Sequence, residues 1–277
     1  MRAIRRKRGD VSLICGASVL VALLILAALA PLLAPHDPRE MHLDRRLEGF
    51  SWSFPLGTDH LGRCVLARLL HGARISLGLT AAVVLGQGIL GTLLGAAAAY
   101  RGGFLDLGFV ALADLLLALP GTVLALVAVG LLGPSLEGLV LLLSLIGWTS
   151  FGRVARGAVL QEREQLYVQA AIALGSSPVR ILRRLLLPAV LRSILVLSSM
   201  RAGHVLLTIS GLGFLGLGVA PPTAEWGTMM AEGRIFVRNA PWVTVFPGLA
   251  MIVAILGSGL LAEGLRLRMG GPRLQGT

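Results

Sequence analysis

Six apolar runs, most of them long enough to cross a bilayer, constrain this chain more than any other feature. They cover residues 11–35, 76–100, 105–132, 136–151, 189–219 and 243–265. About 20 apolar residues span roughly 30 Å of hydrocarbon as a helix, and lipid leaves a backbone no other internal way to satisfy its polar groups. The expected fold class is therefore an all-α integral membrane protein with six transmembrane helices. Composition agrees, with 14% charged residues and mean hydropathy +0.82, against about 25% charged in soluble domains. Ala28-Leu29-Ala30 resembles a signal-peptide cleavage site, but the apolar run is too long for such a signal and Pro31 follows the cut, so the first run reads as an uncleaved span. The fourth run is short unless Arg153 snorkels, and the fifth is long and glycine-rich.

The expected organisation is a basic cytoplasmic N-terminus over 1–10, a first span over 11–35, an outer loop over 36–75, a transmembrane core over 76–266 and a cytoplasmic tail over 267–277. In the outer loop, Leu61, Val65, Leu66, Leu69 and Leu70 recur at helical spacing and predict an amphipathic helix. A second outer stretch, 220–242, carries Trp226, Met229, Met230 and Phe236, expected to lie flat at the membrane interface.

Net charge is +11, yet its placement points to orientation, not to nucleic acid. With both termini inside, sixteen of the 25 basic residues fall in inner segments and eight in outer ones, as the positive-inside rule requires. Lys7 is the sole lysine, so no GxxxxGK[ST] phosphate loop can form and the chain cannot itself be a P-loop ATPase. Cys15 and Cys64 have no metal-ligand spacing. There is no HExxH motif for an intramembrane hydrolase, and the lack of an internal repeat argues against an inverted-repeat secondary transporter.

Between the fourth and fifth runs lies "YVQAAIALGSSPVRILRRLLLP", residues 167–188. A helix is expected over 161–174, ended by Gly175 in the left-handed conformation. Ser177 is then placed to cap a second helix with Pro178 in its first turn, and Arg180, Arg183 and Arg184 share a face. Two short helices at an angle can dock in a groove of another protein, or the arginines can touch lipid headgroups.

This stretch resembles the EAA loop of binding-protein-dependent ABC permeases through Gln169, Ala170, Ala171, Gly175, Leu185, Leu187 and Pro188. Gln169 stands where Glu is usual and Leu185 where Ile is usual. Gly57, Thr58, Asp59, Gly62, Arg63 and Arg68 resemble the GTD…GRD…SR signature of the dipeptide, oligopeptide and nickel branch, with Cys64 and Ala67 departing from it. "GLGFLGLGVAPPTAEWG" is similar to the same branch, and Glu225 and Trp226 in it are candidate external contacts. The resemblance implies an inner-membrane, multi-pass permease with the EAA loop on the cytoplasmic side. It would pair with a second permease subunit, two ATP-binding subunits and an external solute-binding protein. ATP and magnesium would belong to the ATP-binding partners, and no cofactor to this chain.

For the substrate, Arg201 and His204 are the candidate pathway residues, because ionisable groups within a span are costly and mark routes. Imidazole makes His204 the candidate metal ligand. Peptide permeases often carry a Glu where this chain has Ile209, whereas "GH" (Gly203-His204) and "TAEWG" (223–227) are similar to nickel-type C subunits. The expectation is import of nickel or a nickel chelate, with di- or oligopeptide import as the alternative.

Overall fold

The computed structural model describes residues 2–132 and 135–269. Among them the structure is helical, with no strand beyond one isolated bridge between Thr58 and Cys64. In chain order the helices are α1 (Arg2–Ala28), α2 (Ala30–Leu33), α3 (Val65–Arg101), α4 (Gly103–Ala118), α5 (Gly121–Leu132), α6 (Leu136–Arg163), α7 (Leu166–Ala173), α8 (Pro178–Ile181), α9 (Leu187–Phe214), α10 (Trp226–Gly233) and α11 (Trp242–Arg268). The expected basic N-terminal segment is thus the first turns of α1. Most of the tail expected over 267–277 lies outside the described residues.

Four helices are long and apolar enough to cross a membrane: α1 (from Arg8), α3, α6 and α11. A fifth crossing is available if α4 and α5, which bend by 78° at their junction, count as one broken span. Pro120 lies at that junction and supplies no N–H to continue α4. The 28 residues of α9 extend about 42 Å at 1.5 Å per residue. Arg192, Arg201 and His204 interrupt its apolar run.

Several expected boundaries move. The amphipathic helix expected as a separate piece of the outer loop is the start of α3, which runs unbroken for 37 residues because no proline interrupts it. It ends at Gly102, whose φ of 67° stops helix propagation. The fourth run does not end at Phe151. There α6 continues to Arg163 because its arginines find partners: Arg153 pairs with Asp114, and Arg156 clamps Asp106 at 2.6 and 2.7 Å, both acids on α4. Arg153 thus has an acidic partner on α4.

Between membrane helices the hydrophobic effect contributes little, and close backbone approach dominates. Glycines on α3 meet α6 in this way. A Cβ on Gly95 would lie 2.1 Å from the Gly152 carbonyl oxygen, and one on Gly91 2.4 Å from that of Trp148. Helices α1 and α11 meet through Gly16 and Gly264, with Asp10 and Arg268 paired at 2.7 Å. Around these contacts Leu79, Val83, Phe151, Val159, Val190 and Ile209 belong to one buried core.

Candidate coupling segment, substrate cavity and outer ion network

The segment read as a coupling loop, 166–188, is anchored from beneath. Val168, Ile181 and Leu186 are buried in the main core, while Leu166 and Leu174 are 82% and 86% exposed and Ile172 and Val179 stand out beside them. A short structure with a fixed apolar underside and an unsatisfied apolar top results. Gln169 and Ala170 are exposed and Ala171 is half-buried; Gly175 has φ +75°, as its C′ position requires, and its N–H donates to Ile172 O at 2.9 Å. Leu185 is half-buried, and Leu187 and Pro188 are exposed.

Two local expectations are corrected. The helix expected over 161–174 breaks after Glu164, at Gln165, where the backbone turns extended, and the Gln169 amide donates to the Glu164 carbonyl at 3.3 Å. A glutamate at 169 could not make that donation while ionised. Ser177 is the N-cap of α8 with Pro178 in its first turn, as expected, although its side chain makes no cap bond. The second helix does not stop before the fifth span. From α8 the chain passes through a single π-turn, 182–186, directly into α9. Pro188 has no N–H for the Arg184 carbonyl four residues back, and Leu187 N–H instead reaches Leu182 O, five residues back.

The pathway candidates line a cavity of about 340 Å³. Arg201 and His204 from α9 face Gln87 of α3, Thr149 and Ser150 of α6, and the bend between α4 and α5 at Leu119 and Gly121. Arg201 Nη2 donates to Ser150 Oγ, and no carboxylate forms a salt bridge with Arg201 among the described residues. A half-buried guanidinium without a counter-ion is a site prepared for an anion. His204 is exposed and also lines a second cavity of about 360 Å³ between α9 and α11. It belongs to no group of three metal-ligating side chains among the described residues. Gln87, missed by sequence reading, is buried and donates to Leu143 O at 2.9 Å; a lone amide amid an apolar span was the available signal.

Glu225 and Trp226, expected as external contacts, are turned inward, at 0% and 1% exposure. Glu225 caps α10: Oε1 accepts from Ser76 Oγ, Ser210 Oγ and Gly227 N at 2.9–3.1 Å, and Oε2 accepts from Thr228 N at 2.9 Å. These donors, at the N-terminus of α10, satisfy both carboxylate oxygens from within the protein. Trp226 Nε1 donates to Leu69 O at 3.1 Å. Met229 is buried beside it and Met230 is half-buried, so this face of α10 packs against α3 and α11 instead of lying on lipid.

The GTD…GR…R residues converge on a buried network. Asp59 Oδ2 accepts from Arg63 Nε and Arg68 Nη1, each at 2.7 Å. Glu232 Oε2 accepts from the second terminal nitrogen of both arginines at 2.8 Å. Asp59 Oδ1 holds the loop through Leu61 N and Arg63 N. Glu232, from α10, closes this ring and was not singled out from sequence, where Trp226, Met229, Met230 and Phe236 around it were. Burial pushes its carboxyl up, and the Arg63 guanidinium pulls it back. Asp59, His60 and Glu232 come within 4.8 Å of one another, but two guanidinium groups already occupy both carboxylates, so the chemistry does not suit a cation. Gly62, at φ +76°, lies where a Cβ would be 1.8 Å from His42 O, and so the loop needs glycine there.

Residues 91–270 match the family described as "Binding-protein-dependent transport system inner membrane component". The chain belongs to this family. The binding-protein-dependent permease is 36% identical over 253 residues to the dipeptide transport system permease protein of Alkalihalophilus pseudofirmus, covering 91% of this chain and 83% of that protein. It is 36% identical to the nickel transport system permease protein of Escherichia coli, covering 90% and 92%. Against the glutathione transport system permease protein of Pectobacterium atrosepticum it is 37% identical, covering 94% and 86%. These relatives are permease subunits of ABC transporters and not enzymes. This permease is likewise a transport component, and its matched region contains the 166–188 segment and, apart from Gln87, the lining of the Arg201 cavity.

Proposed function

We propose that this permease forms one half of the translocation pathway of an ATP-driven importer, and that its substrate is a small peptide carrying a free carboxylate. The observation carrying the substrate reading is Arg201, a cation without a carboxylate partner in a cavity large enough for a small molecule. A bare divalent cation would meet repulsion there. Nickel enters this reading as a carboxylate chelate, and His204 in the same lining is the observation that keeps it open. Transport of dipeptide and glutathione by the relatives so named supports the peptide reading; the nickel relative supports the second.

Six crossings follow if the broken α4–α5 pair is one span and α9 is another. Both termini and the 166–188 segment then lie in the cytoplasm, where the basic residues concentrate. The exposed apolar top of that segment receives an ATP-binding subunit that brings its own magnesium and ATP. A second permease subunit supplies the other half of the pathway, and a solute-binding protein delivers substrate from outside.

Uptake of a labelled dipeptide and of labelled nickel, in cells with and without this gene, tests the reading. Deletion is expected to abolish dipeptide uptake. Arg201→Gln is expected to lower it at least tenfold, since hydrogen bonds to charged groups contribute about 1.5–3 kcal/mol. Loss of nickel uptake alone on deletion would overturn the peptide reading in favour of nickel.

A further inference from the structure

A third cavity, of about 350 Å³, sits far from the first. Its walls are Arg39 and Pro38 from the loop after α2, His71 and Arg74 from the start of α3, and Pro222 and Thr223 from the loop before α10. Arg74 is 26 residues from Tyr100, about 40 Å along α3. Tyr100 and Ala99 carbonyls accept from Arg163 at the end of α6 that leads into the 166–188 segment. The cavity is therefore at the opposite end of the molecule from that segment.

No acidic side chain lines it, and neither the Arg39 nor the Arg74 guanidinium has a salt-bridge partner among the described residues. His71 Nδ1 lies 3.0 Å from Ala67 O, which fixes that nitrogen as the donor and leaves Nε2 free. The walls are held in place. Ile75 and Ala224, also in the lining, immediately precede Ser76 and Glu225, whose buried hydrogen bond ties α3 to the start of α10. Two exposed guanidinium groups lining one concavity, neither in a salt bridge among the described residues, match a carboxylate, which their planar forks can grip.

We propose that this cavity is an outer anion site that takes the carboxylate of the incoming substrate before it reaches Arg201. The proposal rests on the reading that the substrate carries a carboxylate. It gives the pathway two stations of one chemistry, one at the outer end of α3 and one at the middle of α9. The other source of the same chemistry is an acidic side chain of the delivering protein, and the test separates the two.

The purified full chain is treated with phenylglyoxal, and modification of Arg39 and Arg74 is followed by peptide mass mapping. Alanyl-alanine and acetate are expected to slow modification of both arginines several-fold. Alanyl-alanine amide and chloride at equal ionic strength are expected to do nothing, and the exposed Arg45 serves as an internal control. In cells, Arg39→Gln/Arg74→Gln is expected to raise the KM for dipeptide uptake about tenfold with the maximal rate unchanged. Unaltered modification rates with alanyl-alanine and with acetate would overturn the site. So would a variant that loses maximal rate without a change in KM while alanyl-alanine gives no protection, since that pattern belongs to docking of the delivery protein. Protection by acetate, with dipeptide uptake indifferent to deletion of the gene, would retire the peptide reading and leave the anion site standing.

Discussion

Asp59→Ala is expected to destabilise the permease by about 3–5 kcal/mol, the cost of removing one member of a buried ion network. Both Arg63 and Arg68, each 1% exposed, would lose a 2.7 Å partner and be left to share Glu232. Neither can shed its proton to escape the penalty. The loop would also lose the acceptor for Leu61 N and Arg63 N, so the turn over 59–63 loosens where it joins α3. Thermal unfolding in detergent and the steady-state amount in membranes report the effect together. Asp59→Asn, which keeps the shape and one acceptor oxygen, is expected to fall between the two. An Asp59→Ala protein that unfolds within a degree or two of the parent would refute the role given to the network.

Gly95→Leu should separate α3 from α6. A Cβ at Gly95 would lie 2.1, 2.7 and 2.8 Å from the carbonyl oxygen, carbonyl carbon and Cα of Gly152, and none of these backbone atoms can rotate away. Overpacking usually costs about 1–3 kcal/mol where side chains can yield; here whole helices must move, and the loss is expected at or above the upper end. Gly78→Leu is the control, because it adds the same side chain to the same helix where nothing lies within 4 Å. Its effect is expected within about 0.5 kcal/mol. Equal unfolding temperatures for the two variants would show that the close crossing carries no special weight.

Much of the architecture was legible from apolar run length, because lipid permits few backbone solutions. Helices expected at 11–35, 76–100 and 243–265 have counterparts in α1 with α2, α3 and α11. What escaped notice depended on partners distant in sequence. Run length could not show that Arg153 and Arg156 would be paired on α4 and so let α6 continue to Arg163. The π-turn before Pro188 needed the orphaned carbonyl to be considered along with the missing N–H. At the site, Gly175 was legible because a left-handed C′ residue has a strong local signature. Glu225 was not: a Glu beside a Trp reads as a surface contact until Ser76 and Ser210, 149 and 15 residues away, are seen bonded to it. Glu232 was missed for the same reason, since its arginine partners lie more than 160 residues upstream.

In the proposed importer, force from an ATP-binding subunit enters through the 166–188 segment. Gly175→Pro tests it most directly. Position 175 has φ +75° and donates its N–H to Ile172 O, whereas proline fixes φ near −65° and has no N–H. The segment is exposed on its outer face and tied to the core elsewhere, so the variant should insert and accumulate like the parent. Copurification from membranes, followed by ATP hydrolysis with and without substrate-loaded binding protein, gives the reading. The parent is expected to bring down a P-loop ATPase whose activity responds to substrate, and Gly175→Pro to lose that response at least tenfold while remaining in the membrane. Substrate-stimulated hydrolysis and uptake at parental levels in Gly175→Pro would contradict the account.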